Sequence, residues 1–198
     1  MKHTFEIPTP ESITIGQFLA FHKAKTDIKR CTAATGKTAE ELSDVPLTAV
    51  KRAVSEFREM VKLIEEVEFP RIITIDGQEY GFEPNLNRIQ TSAWADIAHL
   101  EDIGRDEHLH EILSILYRPI TQRWGVKDVK YRIEDYAANR GDSIDNANLF
   151  LDYKMSHALS VLGFFLSLQQ GCMISSERKM MTALSDSIQE MKKEILPT

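Results

Sequence analysis

The sequence predicts a mainly α-helical domain with a small β-hairpin and short antiparallel strands. Several segments repeat apolar residues at three- and four-residue spacing, which is the period of an amphipathic helix. One Asp-Gly pair separates two runs rich in β-branched and aromatic residues, which is typical of a hairpin. The chain of 198 residues, 42% of them hydrophobic, suits one ordinary globular core. We therefore expect residues 1–198 to form a single helical domain.

The first helix is predicted by a capping box. Thr14 and Gln17 have the spacing at which side chain and backbone satisfy each other's free donors. The apolar face of this helix is expected to contain Phe18, Phe21, Ala24 and Ile28. A second helical segment over residues 28–35 is expected to end at Gly36, because glycine is the preferred residue after a helix C-terminus.

A third helix is predicted from Pro46 to Pro70, since proline is tolerated at a helix start and closes a helix when it follows. Its apolar stripe consists of Val50, Val54, Phe57, Val61 and Ile64. A hairpin follows over residues 72–82, in which Asp76-Gly77 supplies the positive φ angles of a type I′ turn. A lone hairpin is marginal in water, so we expect it to lie against helices or to pair with another strand, for which residues 5–7 are candidates.

Two further helices are predicted in the second half of the chain. One opens at Thr91, and its inward residues are expected to be Trp94, Ile97, Ala98 and Leu100. Asp106 is a candidate cap for the next helix, whose stripe consists of Leu109, Ile112, Leu113, Leu116 and Tyr117. Pro119 is expected to end that helix. Residues 129–133 alternate like a strand, and residues 139–142 have the composition of a turn.

The C-terminal part, residues 149–196, is predicted to be a helical pair. An apolar helix is predicted over residues 149–169. Its most apolar stretch is shorter than the roughly 20 residues that span a bilayer. Because the helix is apolar nearly all round, we expect it to be buried in the protein. Ser175 or Ser176 caps a final amphipathic helix. Methionines line its apolar side, and methionine adapts to irregular partners. The candidate partner-binding residues are Met180, Met181, Leu184, Ile188, Met191 and Ile195. Packing of this face on the 149–169 helix of the same chain is the alternative.

Two segments resemble each other at an offset of 76 residues, so that Pro8, Ile13 and Phe18 align with Pro84, Ile89 and Trp94. Residues 5–65 and 80–117 are therefore candidate repeat units. The sequence leaves open whether this is an internal duplication or local convergence on one turn-and-cap geometry.

Polar residues with catalytic spacing are not found in the sequence. The best candidate metal cluster contains His99, His108, His110 and Glu111. His108 and His110 point to opposite sides of a helix, and the HExxH pattern is absent, so surface histidines are the preferred interpretation. Cys31 and Cys172 form no metal or redox motif, and Gly36-Lys37-Thr38 lacks the first glycine of a phosphate-binding loop. We expect no catalytic, cofactor-binding or metal-binding residues, and hence no enzyme.

The charge of the chain further restricts its function. A net charge of −6 argues against non-specific binding to nucleic acid, which requires a basic surface. The N-terminal residues lack the apolar region of a signal peptide. We therefore expect no nucleic-acid partner and no membrane association, and a cytoplasmic location.

Five blocks of the sequence resemble a group of tailed-bacteriophage proteins assigned to tail morphogenesis. These blocks are residues 13–18, 75–80, 89–97, 110–119 and 150–152. The group is similar to tail assembly chaperones, which have mostly helical folds. The resemblance implies a non-enzymatic phage assembly protein of the host cytoplasm, which binds the tape measure protein or tail subunits until they polymerise. It offers no catalytic residues to carry over.

Two other functions remain as alternatives. The first is a virion structural protein, such as a head–tail connector or a capsid or tail accessory subunit, which would be found in the virion. The remote alternative is a metal-dependent hydrolase that uses the histidine cluster. A homo-oligomer is compatible with the chaperone and the structural function.

Overall fold

The structure is a computed structural model that describes residues 5–65, 67–68, 70–83, 89–125 and 130–164. The chain divides into two compact units, Met1–Ser160 and Val161–Thr198. In the second unit only residues 161–164 are described, and they are helical. The first unit combines helices with a small antiparallel sheet.

The start of the first helix and the end of the second are as predicted. Helix α1 (Ile15–Lys23) starts at a complete capping box, in which the Gln17 amide donates to Thr14 Oγ1 at 3.2 Å. Helix α2 (Asp27–Thr35) ends at Gly36, whose φ of 70° is the left-handed conformation that glycine adopts without strain. The predicted apolar face was wrong at Ile28, which is 46% exposed. The chain turns to extended backbone at Ala24, so Ile28 belongs to α2 and lies on its outer side.

Helix α3 (Leu47–Lys62) follows Pro46 and confirms the predicted stripe at its centre. Val50, Val54 and Phe57 are buried, whereas Val61 and Ile64 are half-buried near the end of the helix. The Phe57 ring lies 4.7 Å from the Phe21 ring, measured between centroids. This contact joins α3 to α1.

Four strands form one antiparallel sheet in the order β1-β2-β3-β4. They are β1 (Ile72–Ile75), β2 (Gln78–Phe82), β3 (Tyr117–Trp124) and β4 (Lys130–Ile133). The predicted hairpin is confirmed, with φ of 49° at Asp76 and 81° at Gly77. The predicted pairing with residues 5–7 was wrong, because β2 pairs with β3 instead. The Glu83 amide bonds to the Leu116 carbonyl at 2.9 Å, which starts this pairing where β3 begins.

The helices before β3 differ from the prediction at their ends. Helix α4 (Thr91–Gly104) buries Ile97 and Leu100, but Trp94 is 39% exposed and does not face inward. A 3₁₀ helix then connects α4 to helix α5 (Leu109–Leu116). The cap of α5 is His108, so the prediction that Asp106 caps this helix was wrong.

The predicted stripe of α5 is confirmed: Leu109, Ile112, Leu113, Leu116 and Tyr117 are all buried. Pro119 does not end the helix, because the backbone becomes extended already at Tyr117. Pro119 instead lies within β3 opposite Tyr80. Bonding to β2 runs through the neighbouring Gly81–Arg118 pair and through Leu116, so the missing N–H of Pro119 is not required.

The chain after β4 is more helical than the sequence predicted. Helix α6 (Arg140–Asp145) replaces the turn expected at residues 139–142. Residues Asn146–Asp152 form a 3₁₀ helix, and the apolar helix begins at residue 155 and not at 149. The reason is that Tyr153 is extended, and its carbonyl accepts a bond from Ile15 at 2.9 Å.

The two candidate repeat units do not share local structure where both are described. Thr14 caps α1 with its side chain, whereas Gln90 precedes α4 without a side-chain cap. Ile13 is fully buried, whereas the aligned Ile89 is half-buried. The described parts of residues 5–65 and 80–117 therefore give no evidence of duplication. Within the described chain, no helix has the length and apolarity that a bilayer crossing requires.

Strand β4 lies close to β2, and Gly81 permits this approach. A β-carbon at position 81 would lie 2.5 Å from the Tyr131 ring and 2.9 Å from Ile133. The Tyr131 hydroxyl donates to the Phe82 carbonyl at 2.8 Å. The ring of Tyr131 is thereby fixed directly over the backbone of β2, where only glycine fits.

The substitution Gly81→Ala should lower the free energy of unfolding by about 1–3 kcal/mol, because the added methyl group must displace the ring of Tyr131. Urea denaturation measures this loss. Gly141→Ala is the matched control, since a β-carbon there meets no atom within 4 Å. Equal stability of the two variants would contradict the proposed close packing.

Candidate functional site

The predicted partner-binding residues lie outside the described residues. These are Met180, Met181, Leu184, Ile188, Met191 and Ile195. The same holds for residues 165–196 of the predicted C-terminal helical pair and for Cys172. The binding face predicted for the final helix therefore stays a prediction.

The histidine cluster separates into local contacts. His108 Nδ1 lies 2.8 Å from Glu111 Oε1, and His110 Nε2 lies 3.8 Å from the same oxygen. Burial lowers the pKa of His110, so its ring is held in the neutral form. His99 is exposed on α4. Across the part of the chain that the structure describes, no three His, Cys, Asp or Glu side chains converge as metal ligands.

Cys31 and the Gly36-Lys37-Thr38 segment both have surroundings that suit a structural role. Burial raises the pKa of the Cys31 thiol, which disfavours the reactive thiolate. In Gly36-Lys37-Thr38, the glycine ends α2, and Lys37 Nζ lies 3.4 Å from Glu41 Oε1. The Thr38 backbone amide donates to the Glu41 carboxylate at 2.7 Å. This amide is therefore used to stabilise the turn over residues 38–41.

A cleft of about 550 Å³ lies beside β3 and β4. It is lined by residues that carry both signs of charge, together with amides and one hydroxyl: Glu83, Gln90, Arg118, Thr121, Arg132, Ile133, Glu134, Asp135 and Asn139. The sequence did not point to this set, because its members come from separate segments of the chain.

Arg118 is the central group of this cleft and is only 5% exposed. Its Nη2 pairs with the Glu83 carboxylate, and its Nη1 donates to the Glu134 carbonyl at 2.6 Å. Burial lowers the pKa of Arg118, and the neighbouring Glu83 opposes this shift. Arg118 lies in β3, Glu83 directly follows β2 and Glu134 directly follows β4. The buried cation therefore joins the ends of β2 and β4 to β3.

The loop after β4 is fixed to the start of α4 by two side chains. Gln90 donates to Asp135 Oδ2 at 2.6 Å and accepts a bond from the Ala137 amide at 2.8 Å. Asp96 accepts the Tyr136 hydroxyl at 2.7 Å and binds Arg140 through both of its oxygens. The polar groups of this region are thus largely engaged with each other, which indicates a structural role.

The outer part of the β3–β4 hairpin is exposed, and we call residues 121–125 and 130–132 the hairpin arm. Residues 121–125 are all exposed, so neither face of this strand packs on the core. Trp124 is 45% exposed near its end. Arg123 lies 2.6 Å from Glu79, which attaches the arm to β2. An exposed tryptophan on a strand whose two faces are both exposed is a feature of binding surfaces.

The substitution Glu83→Ala should cost about 3 kcal/mol of stability, because it leaves the buried Arg118 cation without its carboxylate. Glu59→Ala is the matched control, since Glu59 pairs with Lys62 at 2.8 Å on the exposed face of α3. The control should change stability by less than about 1 kcal/mol. Equal losses in chemical denaturation would refute a central role for the buried pair.

Stability should also fall in acid through Asp96. Burial alone would raise the pKa of Asp96, but hydrogen bonds from Arg140 and Tyr136 outweigh it and hold the pKa below its ordinary value of 3.8. A depressed pKa stabilises the fold above the unfolded-state pKa, and this stabilisation is lost as pH falls through the folded-state pKa. The variant Asp96→Asn should therefore show a flatter acid limb of stability against pH than the exposed-site control Asp102→Asn. Identical acid limbs would disprove the coupling.

Comparison with known proteins adds no identification: no family model, curated protein sequence or solved structure gives a significant match to this chain.

Proposed function

We propose that this chain is a non-enzymatic bacteriophage assembly protein that acts by binding other proteins. The more specific proposal is a tail assembly chaperone, which holds the tape measure protein or tail subunits in the host cytoplasm until they polymerise. The five sequence blocks that resemble tail-morphogenesis proteins support this proposal. They include residues 13–18 and 110–119, which contain the capping box of α1 and most of the buried helix α5.

The observation that carries a binding function is the hairpin arm. Its outer strand buries neither face, and Trp124 is exposed there although tryptophan burial is strongly favourable. Tryptophan is also among the residues that most often dominate the binding energy of protein interfaces. Tyr131 and Arg123 attach the arm to β2, whereas Trp124 stays exposed on the part of the chain that the structure describes and offers a contact surface.

A chaperone also needs an adaptable apolar surface, and the predicted methionine face of the final helix supplies one in the sequence. We propose that this helix and the hairpin arm both contact the partner. The net charge of −6 supports this model, because charge keeps a protein with exposed apolar groups in solution.

The test is co-purification with the tagged tape measure protein encoded by the same phage. Trp124→Ala and truncation after Ser175 should each reduce capture of that protein by about tenfold or more, as expected for the loss of a central aromatic anchor or an apolar helix. Leu47→Ala is the control, since Leu47 is 57% exposed at the start of α3 and does not belong to the arm. Circular dichroism verifies that each variant is folded.

Unchanged capture by both variants would refute the proposed surface. Mass spectrometry of purified virions separates the chaperone from the structural alternative. A chaperone is absent from the virion, whereas a connector or accessory subunit is present at a defined copy number.

A further inference from the structure

Strand β1 presents a free edge. The two-residue turn at Asp76-Gly77 fixes which residues of β1 bond to β2, namely Arg71, Ile73 and Ile75. The bond from the Phe82 amide to the Arg71 carbonyl, at 2.8 Å, agrees with this alternation. The N–H and C=O groups of Ile72 and Thr74 therefore point away from β2. No strand in the described chain pairs with this edge.

This edge is short, but it lacks the other features by which proteins usually prevent strand addition. Its sequence, Ile72-Ile73-Thr74-Ile75, is β-branched throughout and contains no proline, lysine or bulge. Thr74 is exposed and Ile72 is half-buried, so both residues reach the surface of the described structure. An edge of this kind is a template for another extended strand.

The charges at the two ends of β1 are opposite. Arg71 is exposed immediately before the strand, and Asp76 is exposed immediately after it. Neither forms an ion pair with a side chain in the described parts of the chain. A strand with a free cation at one end and a free anion at the other is complementary to a copy of itself that runs in the opposite direction.

We propose that β1 pairs antiparallel with β1 of a second copy of this chain, across a two-fold axis at Ile73. In this register Ile72 of one copy lies opposite Thr74 of the other, and the outward N–H and C=O groups of these residues bond to each other. Arg71 of each copy then lies beside Asp76 of its neighbour at both ends of the interface. The two sheets become one continuous sheet.

The self-complementary charges identify the occupant as a second copy. An isologous interface uses the same patch on both subunits, so each favourable contact occurs twice. A strand from another protein would match the backbone edge equally well, but nothing in β1 would specify its charges.

The first experiment measures the mass of the full chain in solution by sedimentation equilibrium. The wild-type chain should approach twice its monomer mass of 22.6 kDa as its concentration rises. Thr74→Pro should remain a monomer, because proline removes an outward N–H that the bonds within the hairpin do not use. Thr74→Val keeps that N–H and should dimerise like the wild type.

The second experiment tests the charges. Arg71→Glu should raise the dimer dissociation constant by about tenfold or more, because it replaces two attractive contacts by repulsion from Asp76. Adding Asp76→Asn to this variant removes the repulsion and should recover part of the affinity. Asparagine also suits the first position of a type I′ turn, so the hairpin is preserved.

Amide hydrogen exchange of the wild-type chain provides a readout that needs no variant. The amides of Ile72 and Thr74 should become protected as concentration rises, whereas the amide of Gln78, within the hairpin, should not change. A wild-type chain that stays monomeric at high concentration would overturn the proposal. So would dimerisation of Thr74→Pro equal to that of Thr74→Val.

Discussion

The fold depends on the burial of one continuous segment, which runs from α5 into β3 without a loop. Leu109, Ile112, Leu113 and Leu116 are almost completely buried, and Tyr117 follows them directly into the sheet. Full burial of such aliphatic side chains contributes about 1.5–3 kcal/mol each. This segment therefore supplies a large share of the apolar driving force, and it also fixes where the sheet begins.

Polar contacts then position the sheet around that segment. The Tyr117 hydroxyl donates to the Pro70 carbonyl at 2.5 Å, which holds the start of β1 against the core. Arg118 is the next residue and is buried on the opposite side of the strand against Glu83. One strand thus directs an aromatic ring to the apolar core and a cation to the polar cleft, as alternation along a strand requires. The exposed arm begins only beyond Pro119 and Ile120.

Features specified by a few adjacent residues were predictable from the sequence. The capping box at Thr14, the cap at Gly36 and the Asp76-Gly77 turn each depend on local backbone geometry, and the structure has all of them. The pairing of β2 with β3 was not predictable, because the local sequence pattern of a hairpin carries no information about which distant strand it will pair with. The buried pair of Arg118 joins it to a residue 35 positions away, and neither side chain has an unusual local sequence. The exposure of Trp94 was missed for a related reason, since helical spacing alone does not say which face meets the core.

The direct passage from α5 to β3 also constrains the order in which the chain folds. The β1–β2 hairpin closes over a two-residue turn, and α1 to α3 contact their neighbours in sequence, so these parts need only short loop closures. Strand β3 reaches β2 only when the chain between Glu83 and Leu116 is closed into a long loop. Completion of the sheet is therefore the late, non-local step of folding, the kind of contact that slows folding most. Until that step β2 has an unpaired side as well as β1, so the partly folded chain exposes more strand edge than the native one.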